Sequence, residues 1–402
     1  MNPIIDMLAR ADPDSRPFAL LSGSGAEELS RWSWFFCGDR RVVHSLEEAA
    51  CAARSGDPWP RAVGWINYDQ GLQWVDPPMK LRRHPFDEPP LEFHVFEGGY
   101  GYDHRSERLF SFGVPPRVPE RAPPPRGRLT EPLRPRWSWD HYARRFSALL
   151  AMIRDGEVYQ ANLTYPLLGR FEGDARAAFL RLAASAPPFA AYLQRGSGRA
   201  VVSASPECLL RYDAQSRWAA TFPIKGARPR GADPAEDARN REELSASEKD
   251  RAEHMMIVDL LRNDLGRTAE YGSVHVDPLA YVESFSRVHH ITSAVRGRSA
   301  QPGHEVLRAL FPGGSITGAP KLRAMELIDD LEGEARGLYT GSIALLHGDG
   351  SVTASITIRT AEIASSELRM GVGGGIVIDS EAEDEWAETQ VKARALSEAL
   401  TG

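Results

Sequence analysis

Apolar and polar positions recur with two different periods along this chain, and the changes of period outline its elements. Tyr142, Phe146, Leu149, Leu150 and Ile153 share one helical face, which predicts a helix over 139–154 stopped by Asp155-Gly156. The run Gly156-Glu157-Val158-Tyr159-Gln160-Ala161-Asn162-Leu163-Thr164 then reads as a strand, with Tyr159, Gln160 and Asn162 as its polar members. Residues 201–207 (VVSASPE) predict a strand closed by a proline turn, and 209–222 a hairpin that delivers the chain to Pro223 and Lys225. Nearer the N-terminus, Phe18-Ala19-Leu20-Leu21 predicts a strand running into a turn at Ser22-Gly23-Ser24-Gly25, and 62–68 (AVGWINY) a buried strand. Segments 91–96 and 109–114 are expected to flank the Gly98-Gly99-Tyr100-Gly101-Tyr102 run as a hairpin. Strands mixed irregularly with helices predict an α+β sheet sandwich, not a parallel doubly wound sheet.

Two acidic helices stand out. Ser247 can cap a helix with Asp250 at the capping-box position, and the run from Glu248 to Leu261 follows it. Asp250 and Glu253 are three apart and share a face; in a second helix over 381–400, Glu385 and Glu388 repeat that spacing, with Lys392 one turn beyond. Two such carboxylate pairs could converge on one Mg²⁺, which typically takes one or two carboxylates plus water and an anionic substrate. The same residues also read as two solvated helix faces, with Glu388 and Lys392 an ordinary surface pair.

Two glycine-rich runs come next. Phe311-Pro312-Gly313-Gly314-Ser315-Ile316-Thr317-Gly318-Ala319-Pro320-Lys321 precedes a helical stretch over 322–331, the arrangement of an anion site at a helix N-terminus. Gly371-Val372-Gly373-Gly374-Gly375 precedes Ile376-Val377-Ile378 and is neither GxGxxG nor a P-loop. Its backbone amides could hold a carboxylate, or the glycines could simply be turns at strand ends.

Composition narrows the class. The chain has 402 residues, 42% of them apolar, and a net charge of -7, enough for two domains or one large one. A pI near 5.9 argues against a general nucleic-acid binder. No apolar run approaches a membrane span, and 1–16 carries Asp6, Asp12 and Asp14 with no signal-peptide core. Cys37, Cys51 and Cys208 are widely spaced and suggest neither disulfides nor zinc, which fits a reducing cytoplasm. The Pro/Arg-rich stretch 114–136 (VPPRVPERAPPPRGRLTEPLRPR) reads as a linker between an N-terminal part (1–113) and a C-terminal part (137–402).

Only five lysines occur, Lys80, Lys225, Lys249, Lys321 and Lys392, while arginine supplies nearly all other positive charge. Lysine retained against that background marks a place where an amine must be able to lose its proton, which arginine cannot do. Lys225, in Phe222-Pro223-Ile224-Lys225-Gly226-Ala227-Arg228, is therefore a candidate nucleophile or base, or a spare lysine in a surface turn.

Taken in order, DGEVYQANLT, SASPE, PIKGARPRG, SEKDRAEHMMIVDLLRNDLGR, FPGGSITGAPK, GLYTGSIA, SITIRTA, GVGGGIVIDS and EWAETQVKA make 137–400 resemble the chorismate-utilising enzymes, which include the component I chains of anthranilate and aminodeoxychorismate synthases and the isochorismate and salicylate synthases. The N-terminal part resembles the family's smaller region less specifically, through ALLSG and GWINYD. A lysine at 225, where the other branches have alanine, resembles the aminodeoxychorismate branch that serves para-aminobenzoate and folate; Ala227 departs from the threonine usual in the family.

The resemblance implies a large sandwich of two mainly antiparallel sheets flanked by helices. It implies Mg²⁺ held by Glu253 and Glu388, with Asp250 and Glu385 supporting its water shell. Gly373, Gly374 and Lys392 would hold one substrate carboxylate, Tyr339 and Arg359 the enolpyruvyl end, and His290 and Thr317 would line the site. Lys225 would add to ring carbon 2 of chorismate while Glu207, as general acid, protonates the leaving 4-hydroxyl; ammonia would then displace the lysine. No cysteine sits in a nucleophile elbow, so ammonia is expected from a separate glutamine amidotransferase subunit. Two alternatives are an anthranilate-type component, aminating carbon 2, and a non-catalytic subunit that binds chorismate or tryptophan.

Overall fold

The polar-apolar run after residue 157 becomes a 14-residue strand, Gln160–Gly173, which anchors the larger of two big sheets. A computed structural model describes residues 2–22, 29, 31–39, 41–196, 198–285 and 288–402. Eleven strands form the larger sheet. Glu367–Ile376, Thr360–Ala364, Arg199–Ser205 and Phe189–Gln194 follow outward from Gln160–Gly173, each antiparallel to its neighbour. Nine strands form the second sheet, centred on Cys208–Asp213, Val352–Ile356, Ser342–His347 and Pro60–Ile66, again antiparallel.

The two sheets share their core: Phe18, Trp34 and Phe36 of one are buried with Val63, Trp65 and Leu345 of the other. Each fully buried side chain of this size stabilises the fold by roughly 1.5–3 kcal/mol relative to exposure. Helices Trp139–Arg154, Lys321–Glu332 and Ala382–Thr401 pack on the strands around Gln160–Gly173. The α+β antiparallel sandwich expected from the sequence is therefore the architecture, with a small third sheet added.

Among the described residues, the N-terminal part does not build a sheet of its own. Phe18–Ser22, Trp32–Phe36, Gly98–Asp103 and Arg108–Gly113 extend the large sheet beyond Phe189–Gln194, and Arg41–Val43, Pro60–Ile66 and Leu91–Val95 extend the second beyond Ser342–His347. The stretch 114–136 is also more than a linker, because Gly127–Pro135 pairs with Gln160–Gly173 through an irregular register. Its prolines and arginines hide the strand from sequence reading, yet both residue types are tolerated where one side of a strand carries no ladder. The hairpin near residue 100 is shifted too. The glycine-tyrosine run is itself the strand Gly98–Asp103, paired with Arg108–Gly113, while Leu91–Val95 belongs to the other sheet. A Cβ at Gly101 would collide with the rings of Phe110 and Trp34, so glycine there lets aromatic side chains lie flat on the strand. Residues 23–25 of the turn expected after Leu21 lie outside the described residues. Among the described residues, no helix is long and apolar enough to cross a membrane.

Candidate active site

Lys225 lies on Ile224–Pro229, in the three-stranded sheet completed by Val288–Thr292 and Tyr281–Ser284. Its register partner is Ile291, and the ladder then slips before Arg228 pairs with His289. The slip is a bulge at Gly226, whose φ of +62° is left-handed and whose Cβ would come within 2.8 Å of Leu244. His290, on the adjacent strand, bonds the carbonyl of Gly226 through Nδ1 at 2.7 Å. A carbonyl only accepts, so Nδ1 carries the proton and Nε2 is left as a buried lone pair with no partner among the described residues. Burial pushes the His290 imidazole down to about 4, so it is neutral near pH 7.

Glu207 follows strand Arg199–Ser205 through the predicted proline turn and is 5% exposed. Burial pushes its carboxyl up to about 7, against the opposing pull of the Ser315 hydroxyl and the Lys225 charge. A carboxyl poised near neutrality beside an amine suits general acid chemistry. Ser315 and Thr317 sit on the glycine-rich loop before helix Lys321–Glu332. Thr317 spends its hydroxyl on that loop, donating to the carbonyl of Gly313 at 3.0 Å, and its own carbonyl accepts from the amide of Asn162 at 2.8 Å. Lys321 folds back under the loop, 2.6 Å from Asp264 and 2.8 Å from the carbonyl of Pro312. It is a brace for the loop, buried with its counter-ion.

The acidic residues arrive from two helices, Glu248–Gly266, capped by Ser247, and Ala382–Thr401. Burial raises the affinity of Glu385 for a proton, and the charges of Glu388 and Glu253 add to it. Desolvation opposes the charge on Glu388, but Lys392, Lys225 and Lys249 outweigh it and hold that carboxyl below its usual range. Glu388 and Lys392 form an i,i+4 pair at 2.8 Å. Asp250 is spent elsewhere, accepting from Arg228 at 3.3 Å and lying against Gly226. Three like-charged carboxylates in mutual repulsion, with Glu385 Oε2 turned toward Gly374, are oxygen donors suited to a hard divalent cation. They are not drawn into a tight trio: among the described residues the only three such ligand groups within 4.8 Å of one another are His84, Glu88 and Glu362, where Arg195 already supplies the counter-charge.

Gly373 and Gly374 lie inside strand Glu367–Ile376, not in a turn at its end. Pairing with Thr360–Ala364 stops at Met370, so from Gly371 onward this strand has Gln160–Gly173 on one side only. On the other side its backbone carries no ladder among the described residues, and helix Ala382–Thr401 approaches it there. A Cβ at Gly374 would come within 2.8 Å of Glu385 Oε2 and 3.6 Å of Lys392 Nζ, and Lys392 donates to the carbonyl of Gly373 at 3.1 Å. Tyr339 is buried with its ring pressed on Gly371, where any Cβ would collide with it. Arg359 is half-buried without a carboxylate partner among the described residues, and its charge acts on His290. Both Arg359 (φ 52°) and Thr340 (φ 61°) are left-handed without being glycine, a strain that clusters at functional sites.

Lys225 is thus within electrostatic reach of Glu207 and Glu388, Glu388 of Glu385, and Glu385 of Glu253, from segments far apart in the chain; His290 and Arg359 form a second such pair, tied to the first by the bond of His290 to the Gly226 carbonyl. Sequence reading missed three neighbours. His254 is fully buried, bonds Ser293 at 2.6 Å, and is pushed down to about 4 by burial and the Lys225 charge. Gln160 and Asn162 were visible only as polar residues in an apolar strand, the one signal that could have singled them out.

A family model described as chorismate binding enzyme matches residues 17–398. The chain is 40% identical over 342 residues to a Klebsiella aerogenes protein named aminodeoxychorismate synthase component 1, covering 82% of this chain and 74% of that one. It is also 40% identical over 449 residues to anthranilate synthase component 1 of Streptomyces coelicolor, covering 100% of this chain and 86% of the relative. Against the aminodeoxychorismate synthase of Streptomyces griseus it is 44% identical over 283 residues and spans 39% of that longer protein. Among solved structures, anthranilate synthase component I from Streptococcus pneumoniae superposes with a TM-score of 0.78 at 26% identity, covering 94% of this chain and 92% of that one. The menaquinone-specific isochorismate synthase of Escherichia coli shares the fold, with a TM-score of 0.80 at 17% identity, over 100% of this chain and 92% of that one.

Proposed function

The chain belongs to the chorismate-binding enzyme family, and on that premise we propose that it aminates chorismate at carbon 4, as the component I chain of an aminodeoxychorismate synthase. The observation that carries this reading is a buried Glu207, whose carboxyl burial pushes up to about 7, within reach of the Lys225 charge. The Lys225 amine adds at ring carbon 2, the double bond shifts, and the carbon 4 oxygen departs as water with the proton of Glu207. Ammonia then bonds to carbon 4, the double bond shifts back, the lysine nitrogen leaves carbon 2, and the surplus proton returns to Glu207. Chorismate and ammonia are consumed, and 4-amino-4-deoxychorismate and water are formed.

Arg359 and Tyr339 bind the enolpyruvyl end in this reading, where a guanidinium without a carboxylate partner among the described residues suits a substrate carboxylate. Lys392 and the open backbone at Gly373 and Gly374 bind the ring carboxylate. His290, neutral near pH 7, keeps the Gly226 bulge and hence Lys225 in place. Glu253 and Glu388, with Glu385 beside them, would hold a Mg²⁺ ion, which when bound supplies counter-charge and Lewis acidity at a substrate carboxylate.

Ammonia is supplied by a glutamine amidotransferase partner. The Streptomyces coelicolor relative favours a second reading, amination at carbon 2. One assay separates the two: the purified chain incubated with chorismate, Mg²⁺ and an ammonium salt, with products resolved by chromatography. A 4-amino product supports the proposal, anthranilate supports the second reading, and glutamine in place of ammonium is expected to give no product until an amidotransferase is added.

A further inference from the structure

The GWINYD run at 64–69 and the GLYTG run at 337–341 are far apart in the chain, yet one ladder delivers both to the same place. Strand Pro60–Ile66 pairs antiparallel with Ser342–His347, and Ile66 stands opposite Ser342. Where that ladder ends, the first segment enters helix Tyr68–Trp74, and the second leads back through Gly341 to Gly337.

Gly337 ties the two ends together. Its amide donates to Asp69 Oδ2 at 2.8 Å, and its carbonyl accepts from the amide of Tyr68, also at 2.8 Å. Asp69 is 5% exposed. Burial pushes its carboxyl up to about 6, so it is a carboxylate near pH 7. An N–H donating to an ionised oxygen makes a bond roughly twice as strong as a neutral pair. Gly337 is also closely packed: its φ is +67°, and a Cβ there would come within 2.5 Å of His84 Nε2.

The grip on Gly337 reaches both sides of Tyr339. Arg336, which precedes Gly337, has its guanidinium 4.5 Å from the centre of the Tyr68 ring and donates to Thr340 Oγ1 at 3.3 Å. Thr340 Oγ1 in turn donates to the carbonyl of Tyr339 at 2.5 Å. A β-branched residue in the left-handed region, as Thr340 is, persists only where its surroundings hold it.

We propose that Asp69 is a positioning residue for substrate binding: by holding the Gly337 amide, it sets the turn that aims Tyr339 at the substrate. The inference rests on the reading above in which Tyr339 binds the enolpyruvyl end. Asp69 acts through that turn and does not itself touch the substrate, whose carboxylates it would repel. The N-terminal part thereby takes a share in the active site.

The test is steady-state kinetics of the full chain, followed as loss of chorismate so that the product does not matter. Chorismate and ammonium chloride are each varied for wild type, Asp69→Ala, Asp69→Asn, Tyr339→Phe and the double variant Asp69→Ala with Tyr339→Phe. We expect Asp69→Ala to raise the KM for chorismate at least about tenfold and to leave the KM for ammonium within roughly twofold. A purely structural role would lower the amount of folded enzyme, and hence the rate, with both KM values unmoved. Asp69→Asn keeps an acceptor oxygen in place, so its chorismate KM should stay within about threefold of wild type. Added to Tyr339→Phe, Asp69→Ala should raise that KM less than about twofold, because the group it aims is gone. If Asp69→Ala does not fold, Asp69→Ser, too short to reach the Gly337 amide, carries the same expectations. An unchanged chorismate KM in Asp69→Ala, or a rise of equal size on top of Tyr339→Phe, overturns the positioning role. Asp69→Asn as impaired as Asp69→Ala overturns the hydrogen bond as its cause. A wild type that consumes no chorismate sinks the reading of the site itself, whatever the variants do.

Discussion

His290 and the carbonyl of Gly226 are 2.7 Å apart, so the residue that follows Lys225 is held by a side chain at the point where the sheet ladder slips. In the proposed reaction, that bulge sets the position of the Lys225 amine. Replacing Gly226 by alanine would force a left-handed φ of +62° on a residue with a Cβ and press it into Leu244. We expect a loss of about 1–3 kcal/mol in urea unfolding together with a fall in turnover. His290→Leu should keep the fold and lower turnover, and because the imidazole is already neutral near pH 7, the residual activity should keep the wild-type pH profile. A profile that loses a limb would make His290 a proton carrier instead.

Lys225→Arg preserves charge but not nucleophilicity, since guanidinium does not give up its proton. Formation of 4-amino-4-deoxychorismate should fall by at least about a hundredfold. Wild-type enzyme incubated with chorismate and no ammonia should carry a substrate adduct on Lys225, visible by peptide mass spectrometry. Lys225→Ala frees space at carbon 2, and water or ammonia adding there would give isochorismate-type or anthranilate-type products. A Lys225→Arg variant with most of its rate intact would reduce Lys225 to an electrostatic contact.

Glu207 gives a pH signature in both rate and stability. As an acid with its carboxyl pushed up to about 7, it loses its proton above that pH, so turnover should decline on the alkaline side. The stability sign follows from linkage. In the unfolded chain a glutamate ionises near about 4.3, so between there and 7 the folded state binds more protons than the unfolded one. Folding stability contributed at this site therefore falls as pH rises through that window. Glu207→Gln should abolish turnover, and relative to wild type it should be more stable at pH 8 than at pH 4. Equal denaturation midpoints at both values would show that the carboxyl is not buried as described.

Glu253→Gln and Glu388→Gln each remove a charge from a group whose members repel one another. Without cation, Glu253→Gln should be as stable as wild type or slightly more so, whereas Glu388→Gln gives up the attraction of Lys392, Lys225 and Lys249 and should be slightly less stable; both should lose Mg²⁺-dependent thermal stabilisation and turnover. Chelator should reduce wild-type turnover to the level of the variants. Normal activity in either variant at ordinary Mg²⁺ would remove that residue from the metal assignment.

Asp264→Ala would strand Lys321 in the protein interior, 2.6 Å from where its partner was. Breaking a buried pair by removing one member costs about 3–5 kcal/mol, and the loop that carries Ser315 and Thr317 rests on it. Chemical denaturation should show the loss, and the double variant Asp264→Leu with Lys321→Met should recover much of it.

Local structure was legible in the chain. Helical periodicity over 139–154, the Ser247 cap and the hairpin before Pro223 all became the elements they predicted, because each is decided by neighbours within a turn or two of backbone. The rarity of lysine singled out Lys225, and carboxylates three apart had to share a helix face. What tertiary structure alone decided is what distant segments do to one another. Gly127–Pro135 is a strand only because a partner edge accepts its prolines, and the glycines at 371–375 are strand interior, open on one side, because Thr360–Ala364 ends early. Asp250 and Glu253 have the same spacing as Glu385 and Glu388, yet Asp250 is drawn to Arg228, a choice no spacing encodes. Gln160 and Asn162 are ordinary strand residues until Gly375 and Ser315 are brought against them. Whether a buried polar atom is satisfied depends on partners tens or hundreds of residues away, and only the folded chain brings them within reach.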